Sequence, residues 1–367
     1  MNKQITSNQH YVPQSLLCHF GWKSKKNKKR NDRINIFDIA RLTVRYNQAI
    51  AGAFSQNYFY DKDNLIEDFL GTKIEDPASI VINEIVNGND DIIEIEDNQS
   101  ILLKFISSLL CRTPEARKKV IALVNTQVES IVREGLRLNG FDPEEASKGH
   151  FEFQDYRNLA SYITLNGVID SVILKDLNFH LINNETELEF CISDHPVFTY
   201  NWLYRNLKHP GVTGLTARGL QIFLPLSTSK TLCLYDPEIY KYGQKNLVTH
   251  VSSIADIEIL NSYQIINSKA TIGFNARKNE PELRKLFEKH KNIKLHQHES
   301  TILEVRENEE GEIKQTHLAF TRQTNLKKMP SFVKIKRKAR KDSTSFQERN
   351  PDLSAIHYEL KRSLTER

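Results

Sequence analysis

The spacing of apolar positions along the chain changes twice, and each change marks a change of element. Before residue 64 the apolar runs are short. Residues 34–39 alternate for most of their length as a half-buried strand does, and 43–46 can pair back on them across 40–42. Upstream of that strand Pro13 suits the first position of a helix, where its missing N–H is not needed, and the chain turns apolar behind it.

From 64 to about 176 the spacing is helical. Leu65, Phe69 and Leu70 form one stripe, Glu75-Asp76-Pro77 breaks it, and Ile80, Val81, Ile85 and Val86 begin another. Ser100 is placed to cap a helix over 101–111, which Arg112-Thr113-Pro114 closes because the residue before a proline is pushed away from helical angles. Thr113 then caps a long helix over 115–138, striped by Val120, Leu123, Val124, Val128, Ile131 and Val132. Residues 156–174 read as one more helix, with Gly167 its weak point.

After 177 the period drops towards two. Residues 179–182 and 188–192 predict a hairpin across 183–186, whose second strand delivers Ser193-Asp194-His195-Pro196; 220–224 and 231–235 predict two further strands. A helix near 254–265, a short one to about 290 and a terminal hairpin of 293–305 with 312–321 follow. The predicted fold is α+β, a helical middle packed with a small, mostly antiparallel sheet built from N-terminal and C-terminal strands. Residues 1–322 form a single domain in this reading, with the scaffold at about 64–176 and the sheet region at about 177–321. Residues 323–367 are basic and poor in apolar positions up to a helix at 353–364, which predicts a mobile or partner-ordered tail.

Composition narrows the class. With 367 residues, 39% hydrophobic and 26% charged, the chain can bury a sizeable core. No apolar run approaches the roughly 18 residues a membrane helix needs, and the polar start MNKQITSNQ lacks the core of a signal peptide. The expectation is a cytoplasmic protein without a membrane partner. Cys18, Cys111, Cys191 and Cys233 lie far apart in apolar settings with no CxxC pair, so they read as reduced core residues and zinc is not expected. GxGxxG, Walker-type, HExxH and GxSxG patterns are missing, so no nucleotide cofactor is expected either.

The net charge of +5 is unevenly spread. Residues 23–33 hold seven basic residues against one acid, 322–341 hold nine against none, and 75–97 hold eight acids and no base. Two basic blocks on a near-neutral chain suit a surface that tracks phosphates, with Lys25, Lys26, Lys28, Lys29 and Arg30 in the first and Lys334, Lys336, Arg337, Lys338 and Arg340 in the second. The same blocks also read as solvated loops.

Three polar residues sit at corners stiffened by a proline: His10 before Pro13, Arg112 before Pro114, and Asp194 before Pro196. With Glu75 they form a set compatible with divalent-metal hydrolysis of a phosphodiester. In that reading His10, Glu75, Arg112 and Asp194 surround the scissile phosphate, and Asp194 and Glu75 hold Mg or Mn. Asp194 and His195 are neighbours on a strand and point to opposite faces, so they are not one dyad. The competing reading of Asp194 is a turn residue bonding backbone amides. Tyr58-Phe59-Tyr60 reads as core more readily than as a base-stacking platform.

Several of these stretches recur together elsewhere. HYVPQ-x-LL-x-HF at 10–20, Asn47…Phe54…Asn57-Tyr58-Phe59-Tyr60-Asp61, Arg112-Thr113-Pro114 and Ser193-Asp194-His195-Pro196-Val197 resemble a bacterial family filed as domain of unknown function 4238, from about 10 to 268. The family's usual form has Asn where this chain has His195. The resemblance implies no settled activity; the family's sporadic occurrence in bacteria implies an antiviral-defence or toxin-like setting. The resulting expectation is a nucleic-acid-processing effector, a metal-dependent phosphodiesterase or nuclease. Its alternative is a non-catalytic module that binds RNA, DNA or a protein, with the C-terminal tail taking a protein partner.

Overall fold

The computed structural model describes residues 6–23, 32–141, 156–243, 247–293, 296–306, 313–323 and 326–365. It has the α+β architecture that the periodicities predict. The helical layer comprises Leu65–Phe69, Leu70–Glu75, Asp76–Val86, Glu96–Cys111, Pro114–Leu138 and Tyr156–Ile169. Glu96–Cys111 is its centre, with Leu102, Leu103, Phe105, Ile106 and Leu109 buried. It starts earlier than its expected Ser100 cap, and Glu96 and Asp97 occupy the first turn, where a negative charge meets the positive end of the helix dipole. Thr113 does cap the next helix, its hydroxyl accepting from Ala116 N at 3.2 Å. The expected break at Glu75-Asp76-Pro77 is instead a π-helical turn, Leu70–Glu75, that runs directly into Asp76–Val86; Pro77 fits because the first turn of a helix needs no N–H there.

Two five-stranded sheets carry the rest of the core. In the first the order is Val248–Val251, Asn178–Asn184, Lys230–Tyr235, Gln221–Pro225, Phe198–Tyr200, antiparallel except for the first pair. In the second Asp32–Asp38 lies between Trp22–Lys23 and Thr271–Phe274, Ile192–Ser193 follows Thr271–Phe274, and Thr43–Ala49 also pairs with Asp32–Asp38. This second sheet ties the N-terminal hairpin to strands more than 150 residues away.

The expected hairpin of 179–182 with 188–192 does not form. Asn184 closes a local turn, donating to Leu188 O at 2.6 Å and accepting from Thr186 N at 2.9 Å. Its strand then pairs with Lys230–Tyr235 and Val248–Val251, and only Ile192–Ser193 of the second segment is strand. The terminal hairpin is present as His296–Arg306 with Ile313–Gln323, packed on Pro114–Leu138.

The stretch expected to be a mobile tail is folded onto the body. Val333–Ile335 pairs with Tyr240–Tyr242, Phe346 stacks on His209 at 4.1 Å, and the Pro351–Thr365 helix docks through His357 and Lys361 on Asp170, both at 2.7 Å. Arg349 bonds both oxygens of Asp176 at 2.9 and 2.8 Å and donates to Ile173 O at 2.6 Å. Few apolar residues are needed because these ion pairs anchor what Leu326, Val333 and Ala339 begin by burial.

Candidate functional site

The strand Asn8–His10 pairs with Ser55–Asn57 and so lays the first motif along the second. Gln9 is wholly buried between them: its Oε1 accepts from Tyr60 N at 2.7 Å, and its Nε2 donates to Asp61 Oδ1 at 3.0 Å. Tyr60 in turn donates its hydroxyl to His10 O at 3.1 Å. The five non-glycine residues with positive φ among those described, Leu42, Asn47, Phe54, Tyr58 and Asn64, all fall in this part of the chain. For bulky Phe54 and Tyr58 such angles cost about 1–3 kcal/mol each. The turns are held by Tyr11 N on Phe54 O at 3.1 Å and Tyr58 N on Ser7 O at 2.7 Å. These bonds restrain the strained turns and, with the Asn8–His10 strand pairing, keep His10 and Tyr11 in place.

Behind this strand pair lies a charged cluster. Arg112 is fully buried, and its Nη1 meets Glu75 Oε1 at 2.6 Å, while Glu75 keeps 22% of its side chain exposed. Nε and Nη2 of Arg112 are buried without a hydrogen-bond partner. Burial alone would lower the guanidinium; the charges of Glu75, Tyr60 and Glu67 outweigh it and hold it above its ordinary range. His10 Nε2 lies 3.4 Å from Ile50 O, and burial lowers its imidazole while the Ile50 backbone, Glu75 and the Ala51 backbone oppose. Glu67 is pushed up to about 7 by burial and by Glu75, with Arg112 opposing. Sequence patterning did not single it out, because a carboxylate on a short helix looks solvated until its neighbours are known.

Glu67 makes stability depend on pH. Below about pH 4.5 it is protonated folded and unfolded; between there and about pH 7 only the unfolded chain releases its proton, so stability falls as pH rises through that window. Allowing for screening of a partly exposed carboxylate, Glu67→Gln is expected to remove about 1 kcal/mol of that fall. Urea unfolding of both proteins at either end of the window measures it; equal losses would contradict the assignment.

Asp194 takes other partners. Its carboxylate accepts from the amides of Lys269 at 2.9 Å, Ala270 at 2.7 Å and Thr271 at 3.2 Å. Burial pushes the carboxyl up against these donors, and its charge adds to the burial that raises the Tyr11 phenol. His195 lies in the bend after the Ile192–Ser193 strand and takes a different partner, its Nδ1 sharing a short hydrogen bond with the Thr113 hydroxyl. Ser193 donates to Gln264 Oε1 at 2.9 Å, Gln264 to Pro196 O at 2.8 Å, and Asn267 to Val197 O at 2.9 Å.

The structure thus brings His10, Glu75 and Arg112 together and seats Asp194 beside Tyr11 instead. As metal ligands Asp194 and Glu75 are not paired: three amides hold one and a guanidinium the other. Among the described residues no group of three or more His, Cys, Asp or Glu side chains is arranged to hold a metal ion.

Lys25, Lys26, Lys28, Lys29 and Arg30 lie outside the described residues, as does the side chain of Arg340. Lys334 and Arg337 line a cleft of about 610 Å³ together with Trp202, Arg205, Met329 and Ile335, and among the described residues no acidic side chain lines it. Lys336 and Lys338 are exposed beside it. Lys241 stands directly across from Lys334 in the strand pair, a like-charge juxtaposition that costs stability unless an anion lies between. Among the described residues none of Lys241, Lys334, Lys336, Arg337 and Lys338 forms an ion pair. Arg205 lies over the Trp202 ring at 4.6 Å and donates to Trp202 O at 3.0 Å. Trp202, Arg205 and Lys241 were not foreseen, being about 90 to 130 residues from the basic block; the Trp-x-x-Arg spacing was the available signal.

Comparison with protein families matches residues 8–278 to the family described as Protein of unknown function (DUF4238), and the chain belongs to that family. Comparisons with curated proteins and with solved structures returned no match. No helix among the described residues is long and apolar enough to cross a membrane.

Proposed function

We propose that this member of the family binds nucleic acid through the face formed by Lys241, Lys334, Lys336, Arg337 and Lys338, with the shared motifs holding the fold behind it. The observation that carries the reading is the cleft beside Trp202, lined among the described residues by Arg205, Lys334 and Arg337 and by no acid. Cations that form no ion pair among the described residues can neutralise phosphates and release counterions, which supplies affinity without reading sequence. Among the motif residues, by contrast, Gln9, Thr113 and Asp194 spend their side-chain polar atoms on bonds within the fold. Fluorescence anisotropy with RNA and DNA across a salt series tests this. Lys334→Ser with Arg337→Ser is expected to weaken binding to every sequence and to lower the slope of log affinity against log salt by about 2. Unchanged binding and slope would return the face to a solvated surface.

A second reading, metal-dependent phosphodiester cleavage of the bound strand, is favoured by one observation: His10, Glu75 and Arg112 share a cluster in which Glu67 is pushed up to about 7, near the range useful for proton transfer. Incubation of the purified protein with RNA, tRNA and DNA, with and without Mg or Mn, separates the two. Metal-dependent turnover lost in His10→Ala supports cleavage, and binding without turnover supports the module.

A further inference from the structure

We infer that the cleft between Trp202 and the segment from Val333 to Arg337 receives unpaired bases, so that the nucleic acid bound is single-stranded; this rests on the binding reading above and names its substrate class. Three features carry it. Trp202 and Arg205 present a stacked indole and guanidinium at the cleft wall, the guanidinium plane fixed by its bond to Trp202 O. Aromatic rings and guanidinium planes are the surfaces on which splayed bases stack. Met329 and Ile335 add an apolar wall, which does nothing for a phosphate but takes the face of a base out of water. Lys334 and Arg337 lie on the same cleft, so a strand with its base inside keeps its phosphates on cations. A duplex holds its bases in their own stack and presents only backbone and groove edges; a cleft of about 610 Å³ does not admit it. The apolar and stacking surfaces would then have no use.

The test uses the full chain and four fluorescent probes of about 12 nucleotides: single-stranded RNA, single-stranded DNA, a blunt duplex, and an abasic strand with the same phosphates. Both single strands are expected to bind about tenfold or more tightly than the duplex and the abasic strand. Trp202→Ala and Arg205→Lys should each erase most of that margin while leaving abasic affinity and its salt slope in place. The lysine variant keeps the charge and loses only the plane, and it covers the case in which Trp202→Ala does not fold. If duplex and abasic strand bind as tightly as the single strands while Lys334→Ser/Arg337→Ser still weakens all of them, base insertion is wrong and the binding reading stands. If none of the four probes binds, both are wrong.

Discussion

Arg112→Ala is expected to cost the fold about 3 kcal/mol in urea unfolding, one of the two largest single-residue effects the structure predicts. The guanidinium is fully buried, and the Glu75 carboxylate at 2.6 Å is its only hydrogen-bonded partner among the described residues. Truncation removes the pair, leaves a cavity where a long side chain was, and strands a half-buried carboxylate near Glu67. Because Glu75 keeps 22% exposure it can be partly hydrated, which holds the cost at the lower end of the range for a broken buried pair. Arg112→Met with Glu75→Gln fills the space and removes both charges, so the double variant should recover a good part of the loss. A double-mutant cycle measures the coupling, expected at about 1–3 kcal/mol. A cost for Arg112→Ala below about 1 kcal/mol would show that the buried pair does not hold the helix end, and would shift weight to the reading in which Arg112 awaits a substrate.

The same residue shows what was legible in the chain. Arg112 is recognisable as a helix terminus because Pro114 follows it, and Thr113 as a cap because of its place before a long stripe; both depend on local backbone chemistry. The helices were legible for the same reason, since burying one face writes its period into the residues. Strand partners were not. The 179–182 segment looks like half of a hairpin, yet its neighbours lie about 50 and 70 residues on, because pairing is decided by how the sheet is assembled rather than by the nearest turn. The order of the C-terminal stretch is not legible for another reason: a fold held by Arg349 on Asp176 and Lys361 on Asp170 leaves little hydrophobic pattern to detect. Of the candidate site, His10, Glu75 and Arg112 could be picked out singly as polar corners, but their joint placement depends on Gln9 and on the left-handed turns at Phe54 and Tyr58, which carry no sequence signature in non-glycine residues.

Asp194→Ala should likewise cost about 3 kcal/mol, and it decides whether the fourth motif is structural. The Asp194 carboxylate caps the turn that leads from the Ile254–Asn267 helix into the strand Thr271–Phe274, and that strand holds the centre of the second sheet between Asp32–Asp38 and Ile192–Ser193. Without it three amides lose their acceptor. Each such donor costs about 1–3 kcal/mol when buried, and less where solvent can enter, as it can at exposed Lys269 and Ala270. Asp194→Asn separates charge from shape: its single carbonyl oxygen can serve some of the amides, but its NH₂ group turns a donor towards the others, so it should recover no more than about a third of the loss. Hydrogen exchange at residues 269–271 should quicken in both variants relative to the rest of the sheet, as a local opening of this turn demands. If Asp194 served chemistry instead, Asp194→Ala would keep the urea midpoint and the exchange pattern of the parent protein while losing activity, since a functional carboxylate is held at some cost to the fold. The pattern of three amide donors on one carboxylate favours the first result, and with it a family motif whose task is to join helix, turn and sheet.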